Sequence, residues 1–340
     1  MNDREALLRA ICENPEDDTP RLVFADWLQE HGEEERAEFI RLQIELAGLP
    51  EGQKKQKRQV RETELLAAHS NEWSEPLKPY FAYYYRGIYA RGYAPPVVFR
   101  RGFVETLAMD VETFVARGSE AFALSPIRGL RVQDAQSLDD LAKSKDLLRL
   151  NGLDFCGTVL SSEASDAPVL FRSKYLANLT SLVARGIDDN GHLDADGLKA
   201  IAGSKHLAKL VRIDVGSNWM FGTHQHPPRA LACRKALYAL GANKPELREL
   251  RMRAIGLSDG DLYGLLGQEW MSQLRVLDLR LNGFGDDGCR ALCESRHLVN
   301  LEHLDLTGSE YYDPEANREV PLGAAVRRLL KKRFGKRVFL

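Results

Sequence analysis

The sequence is poor in features that announce chemistry. Its five cysteines are odd in number and widely spread over 340 residues, which does not suggest a disulfide framework. No apolar run approaches the length of a membrane span. The formal net charge is −2, so there is no global signature of polyanion binding and any basic surface must be local. No G-x-x-x-x-G-K-[ST], H-E-x-x-H, G-x-S-x-G or paired C-x-x-C occurs, which argues against common phosphate-binding, zinc-peptidase and hydrolase chemistry. The first residues, MNDREALLRA, form neither a basic n-region nor an apolar h-region, which reads as a cytoplasmic protein. What remains is ordinary for a globular chain, 44% hydrophobic and 28% charged, and long enough for two domains.

What the sequence does contain is a repeat. Leucines recur at Leu247, Leu250, Leu274, Leu277, Leu301 and Leu304, so one register returns every 27 residues. Each unit opens L-x-x-L-x-[LM] and passes into an amphipathic helical pattern. Side chains two apart share a face of a strand. Leu277 and Leu279 would therefore point inward together, and Asn282 could bond backbone groups as the chain leaves the strand. Gly288, Leu292 and Leu298 then belong to a helix that returns over it. One such unit cannot bury its apolar side alone, so units must stack. The pattern resembles the leucine-rich repeat of the longer, strand-plus-helix type. That resemblance implies an α/β solenoid with a parallel β inner wall and helices outside. The register extends backward through first apolar positions at Val104, Ile127, Leu150, Leu179 and Leu210. The unit at Leu210 carries an insertion, about Gly216–Pro228. Its Trp219, Met220 and Phe221 either tuck down or make a contact.

Residues 1–70 read as a small all-α domain, with helices over about Asp3–Glu13, from Asp18 or Thr19 to Gly32, over Glu34–Leu46, and over 52–69. In the second, Val23, Phe24, Trp27 and Leu28 form the inward stripe. The run Asp18–Gly32, D-T-P-R-L-V-F-A-D-W-L-Q-E-H-G, resembles the repeat-companion domain that planctomycete- and myxobacterial-type bacteria place ahead of leucine-rich or other repeats. The resemblance covers about the first 48 residues and implies architecture, with no activity attached. Residues 71–102 read as a junction. Tyr80, Phe81, Tyr83, Tyr84, Tyr85, Tyr89 and Tyr93 lie there among Arg86, Arg91, Arg100 and Arg101, and a terminal repeat needs a cap. The alternative is a stacking surface for nucleic acid. The solenoid would run over 103–310. The tail 311–340, with seven Lys or Arg between Arg327 and Arg337, reads as a capping helix with Val326, Leu329, Leu330 and Phe334 inward. Such a helix can also bind polyanions or anionic membranes.

No metal, cofactor or catalytic residue is assigned. Cys289 and Cys293 share a helical face but read as core packing. His224 and His226 have H-x-H spacing without a visible third ligand. Cys156 would face the concave wall, where a nucleophile would need a base that no neighbouring unit supplies. The wall itself is the candidate site. Arg185, Asp214, Arg251, Arg253, Asp278, Arg280 and Asp305 should cluster there, a mixed array suited to charged peptides or protein loops. The expected function is a non-enzymatic scaffold or regulatory protein that grips a protein partner on that face. The alternatives are a nucleic-acid-binding protein using Tyr80–Arg101 and the basic tail, or a thiol-dependent enzyme at Cys156.

Overall fold

The computed structural model describes residues 2–50, 52–82, 96–133, 138–155, 160, 166–186, 193–218, 220, 227–313 and 318–340. By their contacts these fall into two compact units, Met1–Gln133 and Asp134–Leu340.

The first unit opens with four helices, α1 (Asp3–Glu13), α2 (Thr19–Glu30), α3 (Glu34–Gly48) and α4 (Gln53–Trp73), so the N-terminal region is all-α as expected. Asn2 and Glu5 form a capping box on α1, which satisfies amides that have no partner inside the helix. The core joins Ile11, Phe24, Ala25, Leu28, Ala37 and Ile40 to Phe103. One element was not anticipated: β1 (Val97–Arg100) pairs antiparallel with β2 (Phe103–Met109). Arg101 and Gly102 turn the hairpin at φ values of 48° and 87°, the paired positive values of a primed two-residue turn. A side chain at 102 would lie 2.4 Å from Ile40 Cγ1, so glycine also lets α3 sit on the turn. After β2 come α5 (Val111–Leu124) and β3 (Gly129–Val132), the latter parallel to β2.

In α2 the inward stripe differs from the one expected. Val23 is exposed and Arg21 is fully buried. The Arg21 guanidinium donates to Glu105 at 2.8 Å, to the Pro15 carbonyl at 2.8 Å and to the Arg101 carbonyl at 3.1 Å. A buried arginine is tolerated here because a carboxylate and two carbonyls replace its water. Arg36 on α3 enters a box of rings, with its guanidinium 4.6 Å from the Trp73 centroid, 5.2 Å from Phe103, 5.7 Å from Phe39 and 5.9 Å from Phe99. Loss of water pulls its pKa down to about 9, and the ring faces supply part of the compensation.

The second unit is a leucine-rich solenoid with a parallel sheet. Its strands are β4 (Gly152–Asp154), β5 (Ser181–Val183), β6 (Arg212–Asp214), β7 (Glu249–Arg251), β8 (Val276–Asp278) and β9 (His303–Asp305), in sequence order and in register. Their central residues, Leu153, Leu182, Ile213, Leu250, Leu277 and Leu304, are all buried. So are Phe155, Ala184, Val215, Met252, Leu279 and Leu306, two positions later. This is the period-2 pattern of a wall with one apolar face. Helices α6 (Leu138–Lys143), α7 (Ala167–Leu170), α8 (Ala195–Gly203), α9 (Pro227–Tyr238), α10 (Asp259–Leu266) and α11 (Asp286–Glu294) return the chain, neighbours packing side by side.

Leaving the strand is a stereotyped move. Four residues after the buried centre stand Ser217, Ala254, Leu281 and Gly308, all with φ between 51° and 69°. The next position carries an asparagine in two coils. Asn282 donates to the carbonyls of Met252 and Leu279, and its oxygen accepts from the amides of Ile255 and Leu257. Asn218 repeats the arrangement, donating to Ala184 and Val215 and accepting from Leu193. The side chain thus satisfies buried peptide groups of two consecutive coils. A hairpin, β10 (Glu310–Asp313) with β11 (Arg318–Pro321), precedes α12 (Ala324–Phe334). The last strand, β12 (Val338–Phe339), pairs parallel with β9. Val326, Leu330 and Phe334 are buried under α12, but Leu329, expected among them, is exposed.

Candidate functional site

The sheet face of the second unit carries three rows of side chains. Register places Asp154, Val183, Asp214, Arg251, Asp278 and Asp305 side by side, one from each strand. Two residues further on, Arg185, Arg253, Arg280 and Thr307 flank them. Two residues earlier lies a row the sequence reading missed: Arg212, Glu249 and His303. The signal was available, because alternation puts residues two before a wall position on the same face.

Charges on this face are largely matched to each other. Arg280 grips Asp278 at 2.6 and 2.9 Å and approaches Asp305 at 3.4 Å. Arg185 and Arg212 reach Asp214 at 3.7 and 3.9 Å, and Arg212 also reaches Glu249 at 3.4 Å. Arg251 is bonded to Glu249. Asp214 and Asp278 are both buried carboxylates with opposite behaviour. For Asp214, burial outweighs the nearby arginines and the Gly216 amide and raises the pKa. Burial acts on Asp278 too, but the hydrogen bonds from Arg280 overcome it and the pKa falls below the ordinary value. The geometry explains the difference: Asp278 has a two-pronged partner, whereas Asp214 has guanidinium groups at a longer range.

Six of the seven candidate residues therefore belong to ion-pair groups, Arg185, Asp214 and Arg251 joined through Arg212 and Glu249, and Asp278, Arg280 and Asp305 joined to one another. The seventh does not. Arg253 is exposed, and its side chain has no ion pair among the described residues. In the next coil the register sets Arg280 opposite Arg253 and Leu281 opposite Ala254, the Ala254 amide bonding the Arg280 carbonyl at 2.9 Å. Leu281 is 46% exposed with φ at 56°, a conformation that leucine adopts at a cost of about 1 kcal/mol or more. The sequence reading gave it no role.

Of the other residues singled out, Met220 is buried, while Trp219, Phe221, His224, His226 and Cys156 lie outside the described residues. Cys289 is fully buried and its thiol is pushed up to about 12 by burial, while Cys293 is half-buried and also raised. No group of three or more His, Cys, Asp or Glu that could hold a metal occurs among the described residues. In the aromatic segment, residues 83–95 lie outside the description, and its described ends serve the first unit. Tyr80 is buried, donates to Glu120 at 3.1 Å and is covered by the Arg117 guanidinium. Arg101 pairs with Glu105 at 3.0 Å.

Comparison with known proteins gives a consistent picture. A family model described as Leucine Rich repeat matches residues 272–293, the stretch where the leucine register is cleanest. No curated protein matches the chain. Among solved structures the chain is similar to an internalin from Listeria monocytogenes, with TM-score 0.35 and 20% identity over 60% of this chain and 46% of that one. A protein from Bacteroides fragilis gives TM-score 0.40 and 14% identity over 63% and 65%. Human 5T4, the trophoblast glycoprotein, gives 0.42 and 16% over 68% and 73%. The chain spans less than two thirds of the first two proteins, and at these identities the likeness is one of fold.

Proposed function

We propose that this leucine-rich repeat protein is a non-enzymatic interaction protein that holds a protein partner against the sheet face of its repeats. One observation carries the reading. Between β5 and β9 five arginines stand against four carboxylates, and among the described residues Arg253 is the guanidinium left exposed without an ion pair. An uncompensated arginine on a rigid sheet suits bidentate capture of a carboxylate. Leu281, exposed and in a costly conformation in the next coil, supplies the apolar contact. The matched charges around the pair fix register and exclude wrong partners more than they add affinity.

The same reading extends to the rest of the chain. The N-terminal helices form a repeat-companion module that caps the first strands through Arg21 and Arg36, with no cofactor, and the protein works in the cytoplasm. Among the described residues no helix is long and apolar enough to cross a membrane. The division at residues 70, 102 and 310 belongs to this proposal.

The test is affinity capture from the native host with mass spectrometry, comparing the full chain with Arg253→Glu and with Leu281→Gly. Neither change disturbs the matched ion pairs. Loss of the same captured proteins, by about tenfold or more for Arg253→Glu, is the expected result. Undiminished capture of every partner by both variants, and by a chain also carrying Arg251→Glu and Arg280→Glu, would remove the sheet face as the binding surface.

A further inference from the structure

The final helix presents charge of one sign only. From Pro321 to Leu340 the chain has seven Lys or Arg and no Asp or Glu, although the whole chain is slightly acidic. Among the described residues none of the seven takes part in an ion pair. Arg327, Arg333 and Arg337 donate to main-chain carbonyls of Leu322, Ser295 and Leu301 at 3.0, 3.1 and 2.7 Å, neutral acceptors that leave the positive charge standing. Arg328, Lys331, Lys332 and Lys336 are exposed. Cations on other helices meet carboxylates, Lys143 with Asp139 and Arg290 with Asp287 within one helix, Arg234 with Asp261 and Arg61 with Glu38 on the neighbouring helix.

Helical phase sharpens the point. Val326, Leu330 and Phe334 mark the buried seam. At 100° per residue, Lys331, Arg328 and Lys332 span the opposite pole. The apolar face is already committed to the core, so this helix cannot enter a bilayer as an interfacial amphipathic helix does. Apart from Leu329, exposed at the flank, its outward surface is electrostatic. No described aromatic ring lies at that pole to stack an unpaired base, as single-strand binders require. At 1.5 Å per residue the cations from Arg328 to Lys332 cover about 6 Å of the helix, and Lys336 follows in the turn beyond its end. A nucleic-acid duplex places about three or four phosphates along 6 Å.

We propose that the outer face of α12 is a sequence-independent binding site for the phosphate backbone of double-stranded nucleic acid. The site is separate from the sheet face and does not depend on it.

The experiment is fluorescence anisotropy of the full chain with a labelled 30-base-pair DNA duplex over a range of salt concentrations. Parallel arms use the matching single strand and anionic phosphatidylserine vesicles. With four exposed cations engaged, log K should fall with log salt at a slope of about −3 to −4. The triple variant R328Q/K331Q/K332Q changes exposed side chains only, and should flatten that slope by about 3 without lowering thermal stability. It should retain the partner lost by Arg253→Glu. Duplex binding that is absent at low salt, unaltered in the triple variant, or weaker than binding to the single strand or the vesicles would overturn the proposal.

Discussion

Arginines on the sheet face and arginines on the final helix face opposite situations within one unit. On the sheet, Arg280 meets Asp278 and Asp305, Arg212 meets Asp214 and Glu249, and Arg251 meets Glu249. On α12, cations lie three and four residues apart with no ion-pair partner among the described residues. The difference separates charge that organises a surface from charge that advertises it. Matched pairs hold side chains in place and add little net attraction for a visitor. Unmatched cations repel one another, by a few tenths of a kcal/mol for each pair three or four residues apart, and that cost is recovered only when an anion arrives. Arg253 is the point where the sheet face behaves like the helix.

A third case, a cation that is buried and unmatched, gives the largest expected effect. Lys244 is fully buried and donates to the Ala202 carbonyl at 3.1 Å, and burial pulls its pKa down to about 8. The unfolded chain, with an ordinary lysine near 10.5, then binds more protons than the folded one between pH 8 and pH 10.5. Stability should rise with pH across that window, by up to about 3 kcal/mol, and the penalty should be fully present below pH 8. Lys244→Met should therefore stabilise the protein at pH 7 by about 2 kcal/mol after loss of the Ala202 bond, and the advantage should shrink as pH rises from 8 to 10.5. Urea unfolding at several pH values measures it. A constant difference across that range would show that this amine is not the group responsible.

Next in size is the pair of sheet carboxylates. Asp278 has its pKa lowered, so its contribution is present above pH 4 and lost as the pH falls through its folded value. Asp278→Asn should cost about 1–2 kcal/mol at pH 7, a loss that disappears in acid. Asp214 has its pKa raised, so the folded state gains relative stability as the pH falls toward 4. Asp214→Asn should be neutral or slightly stabilising at pH 7. Equal losses in the two variants would mean that the whole face is uniformly paired.

The smallest effect belongs to α12. Replacing Arg328, Lys331 and Lys332 by glutamine should raise stability by about 0.5 kcal/mol at low salt, and the gain should fade in high salt as screening removes the repulsion. A loss of stability would reveal a structural partner for these cations and blur the contrast with the sheet.

Much of this was legible in advance, for an identifiable reason. The strand phases at Leu150, Leu179, Leu210, Leu247, Leu274 and Leu301 were written in apolar spacing, which burial dictates directly. Asn218 stands five residues after Ile213 as Asn282 does after Leu277, but it lies inside the stretch Gly216–Pro228 that reads as an insertion. Other features depend on partners distant in sequence. Arg21 lies where a helix face meets Glu105, 84 residues away, and no local pattern gives that pairing. Of the apolar stripe Val23, Phe24, Trp27 and Leu28, the last three pack in the core, and Val23 alone is exposed while Arg21 is buried. The β1–β2 hairpin hid in Arg101-Gly102, a turn without the usual Asn or Asp. Leu281 could not be read at all, because its anomaly is a backbone angle.

The shared asparagine has a mechanical consequence. Asn282 fastens the coil of β7 to the coil of β8, and Asn218 fastens the coil of β5 to that of β6, each by bonds that shear together when neighbouring coils separate. Drawn out from the C-terminus, the stack should release whole coils instead of fraying residue by residue. Each coil of 27 residues would pay out about 90–100 Å of chain.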